Sequence, residues 1–106
     1  MITIEDFKRI ELVSAQIVEA KVHPDADKLL VLQVDLGDEK RQVVAGIKKS
    51  YTPEELVGKQ VIIVKNLEPA MIRGEQSQGM VLAVSDDEGI AVLKPDRPVT
   101  LGQRVR

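Results

Sequence analysis

The sequence predicts an all-β domain: an OB-fold, the five-stranded Greek-key barrel, with short helices and a C-terminal extension. Three observations carry that expectation. Short apolar runs with a two-residue period recur along the chain, separated by turn residues. A small, strongly capped helical piece falls between the third and fourth runs, the order expected of this barrel. Only Phe7 and Tyr51 are aromatic among 106 residues, so aliphatic side chains must build the interior, which a narrow barrel can do.

Taken in order, the elements follow from local chemistry. Thr3 precedes Ile4-Glu5-Asp6-Phe7 as a helix cap, with Glu5 and Asp6 in the first turn where the helix dipole favours acids. Ile2 and Phe7 stand at the two positions of a hydrophobic staple. From Leu12 to Val22 the apolar phase slips: Val13, Ala15 and Ile17 alternate, then Val18, Ala20 and Val22. A slipped two-residue period means a strand with a β-bulge near Ile17 and Val18. His23 to Lys28 reads as a turn built by Pro24 and the Asp side chains. Leu30, Leu32, Val34 and Leu36 alternate as a second strand, Gly37-Asp38-Glu39 turns, and Arg41 to Ala45 returns. Thr52-Pro53-Glu54-Glu55-Leu56 is a second helix start. Thr52 caps it, Pro53 takes the first helical position, Glu55 completes a capping box, Tyr51 and Leu56 form the staple, and Gly58 ends it. Val61 to Val64 and Met80 to Val84 read as buried strands, the latter followed by a Ser85–Gly89 turn and a return over Ile90–Leu93. Pro95 and Pro98 make the tail an irregular edge or an extended arm.

Several classes of function fall away. The chain contains no cysteine, which removes disulfides, thiolate metal sites and thiol catalysis. The lone His23 has no second histidine for a relay, and its surroundings match no zinc or calcium loop. Ser14, Ser50, Ser77 and Ser85 have no base partner in view, so no Ser-His-Asp triad is expected. Gly74-Glu75-Gln76-Ser77-Gln78-Gly79 lacks the lysine of a phosphate loop. A non-catalytic chain of residues 1–106, one domain without metal or cofactor, is the expectation. No run is long enough to span a membrane and the N-terminus is unlike a signal peptide, so a cytoplasmic location is expected.

Charge is unevenly spread. The net charge is −2, yet residues 1–39 hold 4 basic and 9 acidic side chains whereas residues 40–74 hold 7 and 3. The middle third is therefore a candidate anion-facing surface. In an OB-fold, the loops carrying Lys28, Lys48, Lys49, Lys65, Asn66, Arg73 and Ser77 flank the oligonucleotide-binding face. Single-strand binders of this fold stack bases on rings, at roughly 1–3 kcal/mol per base. Without rings, recognition by shape, 2′-hydroxyl and phosphate contacts remains.

Four segments in order carry a resemblance: His23-Pro24-Asp25-Ala26-Asp27-Lys28-Leu29, Val43-Val44-Ala45-Gly46-Ile47, Tyr51-Thr52-Pro53-Glu54-Glu55-Leu56 and Ser77-Gln78-Gly79-Met80. Together they resemble the tRNA-binding domain at the C-terminus of methionyl-tRNA synthetases, which also occurs as free-standing tRNA-binding proteins. The resemblance implies structure-specific, sequence-tolerant tRNA binding that raises the affinity of an attached or partner synthetase catalytic chain. It implies Lys28, Asn66, Arg73, Ser77 and Met80 as the RNA-facing set, to which Lys48 and Lys49 are added on electrostatic grounds. It also implies a homodimer through residues 94–106, where Pro98, Val99, Leu101 and Val105 would form the interface. Two stretches depart from the family pattern: Glu11-Leu12-Val13-Ser14 lacks an early arginine, and Leu67-Glu68-Pro69-Ala70-Met71 lacks basic residues. Competing expectations are a protein-export chaperone of the CsaA type, which shares barrel and dimer, and a dimerisation domain with weak RNA binding.

Overall fold

The alternation of apolar residues builds the barrel almost directly. In the computed structural model, which describes residues 1–106, the chain runs α1 (Ile4–Lys8), β1 (Leu12–Val22), β2 (Leu30–Asp35), β3 (Lys40–Ala45), α2 (Pro53–Leu56), β4 (Gln60–Val64), β5 (Ala70–Ile72), β6 (Glu75–Ser77), β7 (Met80–Val81), β8 (Ala83–Asp86) and β9 (Gly89–Val92). Five strands form one antiparallel sheet in the order β3-β2-β1-β4-β7, and β5-β6 and β8-β9 are separate hairpins. The expected OB-type barrel is therefore present.

β1 is the spine, paired with both β2 and β4. Its register against β2 shifts between Ile17 and Glu19, leaving Val18 unpaired, so the anticipated bulge sits where the apolar phase slips. The bulge bends the strand and lets one element serve two sides of a closed sheet. The core is wholly aliphatic: Val13, Ala15, Ile17, Leu30, Leu32, Val34, Leu36, Val43, Ala45, Ile47, Leu56, Val61 and Ile63 form one cluster. Tyr51 packs beside it, half-buried, and its hydroxyl accepts the Val92 N–H at 3.1 Å.

Side chains complete the closure between β3 and the strands after β4. The Gln78 N–H donates to the Gln42 carbonyl at 2.8 Å, and Gln78 Oε1 accepts the Gln42 N–H at 3.1 Å. The Ser77 hydroxyl accepts the Val44 N–H and donates to the Gly79 carbonyl, both at 3.0 Å. Arg41 Nη1 reaches the Lys65 carbonyl at 2.6 Å. Gly79 makes the close approach possible: at φ 148°, a Cβ there would stand 2.9 Å from the Val64 carbonyl oxygen, too near for any side chain.

Both helix starts form as expected, each with a complete capping box at Thr3 or Thr52. The first staple does not, because Ile2 remains 69% exposed and α1 is too short to fold back over it. The expected buried strand over Met80–Val84 breaks at Leu82. Met80 and Val81 pair with β4, the Leu82 N–H adds one bond to the Ile62 carbonyl, and the chain then leaves the barrel into the β8–β9 hairpin. Met80, Ala83 and Val84 are exposed, since the barrel needs only a short fifth strand to meet β4. The β5–β6 hairpin was not anticipated; its Arg73-Gly74 turn holds both residues at positive φ (53° and 89°).

The tail lies on its own barrel. The Ser14 N–H and carbonyl bond to Gln103 and Gly102, and the Val105 N–H donates to Leu12. The Gln60 amide brackets Val99, and Arg104 reaches the carbonyls of Lys8 and Ile10. Val99 and Leu101, expected to need a second chain for burial, are half-buried within this one, because the tail lies along the start of β1, which β2 leaves unpaired before Gln16, and is held by Gln60.

Replacing Ser77 with Ala would strand the buried Val44 N–H. We expect a loss of about 1–3 kcal/mol with an unchanged denaturant slope, read by urea unfolding.

Candidate nucleic-acid interface

Two connections frame the site, and both follow from where the strands end. Residues 23–29 join β1 to β2, and residues 65–79 join β4 to β7 around the β5–β6 hairpin. In an OB-fold these are the two loops beside the oligonucleotide face. Here they are fastened to each other. His23, only 2% exposed, lies between them: its Nδ1 accepts the Asp25 N–H at 3.0 Å and its Nε2 meets the Ile72 carbonyl at 3.2 Å. Arg73 Nη2 returns the contact by donating to the Asp25 carbonyl at 2.9 Å.

This clasp places Lys28 and Arg73 on one concavity of about 400 Å³, together with Asp25, Ala26, Asp27 and Leu29. Lys48 belongs nearby, since its N–H donates to the Lys28 carbonyl at 3.3 Å. Lys49 is exposed just beyond it. Arg73 pays for its place: a non-glycine residue in the left-handed region costs roughly 1–2 kcal/mol.

A second concavity of about 420 Å³ lies at the other side of the 65–79 connection, lined by Glu39, Lys40, Arg41, Lys65, Asn66, Leu67, Glu68, Pro69 and Gln78. Much of its positive charge is neutralised. Glu39 pairs with Arg41 at 2.5 Å and with Lys65 at 3.9 Å. The hydrogen bond from Arg41, with the attraction of Arg41 and Lys65, holds the Glu39 carboxyl below its ordinary value of 4.5 against a smaller desolvation effect. The Glu39–Arg41 spacing, two residues apart where the turn enters β3, was the available sequence signal for this pair.

The remaining candidates divide. Asn66 is exposed but its amide is engaged with the chain, its Oδ1 accepting the Glu11 N–H at 2.8 Å and its Nδ2 donating to the Arg9 carbonyl at 2.7 Å. Ser77 is buried at 4% exposure with its hydroxyl committed to the barrel seam. Met80 stands 47% exposed on a separate apolar groove of about 360 Å³ that also includes Ile47, Val84 and Ile90. No ring lines any of these concavities, because Tyr51 is packed on the core with Lys59 6.0 Å from its ring centre.

Comparison with known proteins bears on this surface. A family model described as "Putative tRNA binding domain" matches residues 12–104. The methionine–tRNA ligase of Pyrococcus horikoshii is 56% identical over 102 residues, covering 96% of this chain and 14% of that protein; the chain spans about one seventh of the curated relatives it matches. A MetRS-related protein from Pyrococcus horikoshii superposes with a TM-score of 0.93 at 32% identity, over 100% of this chain and 98% of that one. The chaperone CsaA of Bacillus anthracis superposes with a TM-score of 0.90 at 29% identity, over 100% and 99%.

Because the Glu39 carboxyl is held below its unfolded-state value, its contribution to stability is present at neutral pH and is lost as pH falls below about 4.5 through the lowered folded value. We therefore expect the Glu39→Gln variant to lose less stability than the wild type between neutral and acidic pH, as read by thermal melts across that range.

Proposed function

The chain belongs to the tRNA-binding domain family, and from that premise we propose that it grips folded tRNA by shape, 2′-hydroxyls and phosphates. In this reading it is an auxiliary module that raises the tRNA affinity of a methionyl-tRNA synthetase catalytic chain and performs no aminoacylation itself. The observation that carries the reading is the clasp of the two loops, which holds Lys28 and Arg73 on one concave rim beside Lys48 and Lys49. Backbone N–H groups and cations on a rigid rim suit phosphate contacts. The lack of an exposed ring disfavours unstructured strands, which depend on stacking. Lys28, Lys48, Lys49 and Arg73 make the direct contacts in this reading. Asn66 and Ser77 hold the loops in place through their hydrogen bonds, and Met80 supplies an apolar contact at the edge.

A chaperone of the CsaA type is the second reading, favoured by the apolar groove with exposed Met80 and Val84 and by the likeness to CsaA. Fluorescence titration with folded tRNA, poly-U and an unfolded polypeptide separates the two. We expect folded tRNA to bind best, with a log–log salt slope of about 0.7–0.9 per neutralised phosphate. A flat slope, or preference for unfolded polypeptide, overturns the tRNA reading. Arg73→Glu and Lys49→Glu should each lower that slope by about 1 and weaken binding to every tRNA alike.

We also propose that two copies pair through the tail face. Half-buried Val99 and Leu101 back this face, and Pro98 and Val105 lie on it. Leu93 and Val105 are each 37% exposed, with half-buried Ile62 of β4 beside the tail. The Val105→Asp variant should be monomeric by light scattering while the wild type is dimeric; a dimer that survives it places the contact elsewhere.

A further inference from the structure

We infer that His23 is a positioning residue of this interface, one whose ring sets Lys28 and Arg73 relative to each other and whose protonation releases them; the inference rests on the tRNA-binding reading. The chain has one histidine, and the fold buries it in a loop junction where an apolar residue would fill the space at lower cost. Both ring nitrogens are engaged. A peptide N–H can only donate, so the Asp25 N–H at 3.0 Å needs a lone pair on Nδ1. A carbonyl can only accept, so the Ile72 oxygen at 3.2 Å needs the proton on Nε2. Only the neutral ring with its proton on Nε2 satisfies both partners.

The Arg73 guanidinium, bonded to the Asp25 carbonyl at 2.9 Å, closes a circuit in which His23 and Asp25 belong to one connection and Ile72 and Arg73 to the other. Asp25 is thus held through its N–H by the ring and through its carbonyl by Arg73. A proton on Nδ1 would set two N–H donors against each other and leave a cation in a buried site. Asp25 would turn away, and Arg73 would lose its anchor. The charged groups on the segments joined at the ring are Lys21 near the end of β1, Asp25, Asp27 and Lys28 on the 23–29 connection, and Arg73 and Glu75 on the hairpin, with Lys48 after β3 bonded to Lys28. No carboxylate bonds the ring to offset its charge.

If tRNA binds the clasped arrangement, binding selects the neutral ring. Affinity is then full at higher pH and falls as the ring takes up its proton, and binding at acidic pH must expel that proton. A residue that merely filled space would impose no such dependence.

The test is titration of labelled, folded tRNA at constant salt from about pH 8 to about pH 5, using the whole chain as wild type and as His23→Gln. Melting by circular dichroism checks that the variant is folded. The glutamine amide can keep a donor at the Nε2 position for Ile72, but it places no acceptor at the Nδ1 position for Asp25. Expected are a wild-type affinity that falls about tenfold across the range, and a variant about tenfold weaker at the upper end with a flat profile. A folded variant that binds like the wild type, or that keeps the wild-type pH profile, overturns the inference. Should the variant fail to fold, wild-type calorimetry in two buffers of different ionisation heat decides it: proton release on binding at the acidic end of the range supports the inference, and none overturns it. Tight wild-type binding that ignores pH defeats this inference alone, whereas no binding at any pH defeats the tRNA reading with it.

Discussion

The barrel depends on a seam that ordinary strand pairing does not complete. β3 and β7 are the two ends of the five-stranded sheet. What joins them is a short set of bonds through Gln42, Ser77 and Gln78, with Arg41 tying in the end of β4. An open sheet of this length would expose two strand edges and one side of an aliphatic core. Because the seam sits beside the β5–β6 hairpin, closing the barrel also fixes that hairpin, and through His23 the hairpin fixes the loop before β2. Core, seam and clasp are successive consequences of one closure.

Features set by neighbouring residues were legible in the sequence. The Thr52 capping box, the slipped phase around Ile17 and Val18, and the alternation of Leu30 to Val34 each depend on side chains a few positions apart. Met80 to Val84 misled for a physical reason: an apolar run says that something must cover it, not whether the barrel or another surface does. The 70–77 hairpin was hidden because its residues are mostly polar or exposed, and its Arg73-Gly74 turn uses a left-handed arginine that composition does not advertise. Candidate residues divided along the same line. Lys28 and Arg73 meet through the long-range contacts of His23 with Ile72 and of Arg73 with Asp25. The Asn66 amide bonds to Glu11 and Arg9 and the Ser77 hydroxyl to Val44, partners far along the chain that no local pattern records. The tail's need for burial was legible, but not the free β1 edge that meets much of it.

The charge distribution also changes meaning in three dimensions. Of the cations between residues 40 and 74, Arg41 and Lys65 are drawn to Glu39 and Lys59 lies over Tyr51. Lys40, Lys48, Lys49 and Arg73 remain. The anion-facing surface is therefore smaller than the sum of charges suggests, and the carboxylates of Asp25 and Asp27 share its main concavity. Such a rim favours an arrangement of phosphates that fits it over a polyanion in general.

The seating of the tail on β1 has a mechanical consequence. The bonds run from Val105–Leu12 through Gln103 and Gly102 on Ser14 to Val99 on Gln60, so Leu12 and Val105 leave the barrel beside each other at one edge. Tension applied between them would load these bonds singly, peeling the last segment away like a zip instead of shearing it, and the barrel would yield first along that line at low force.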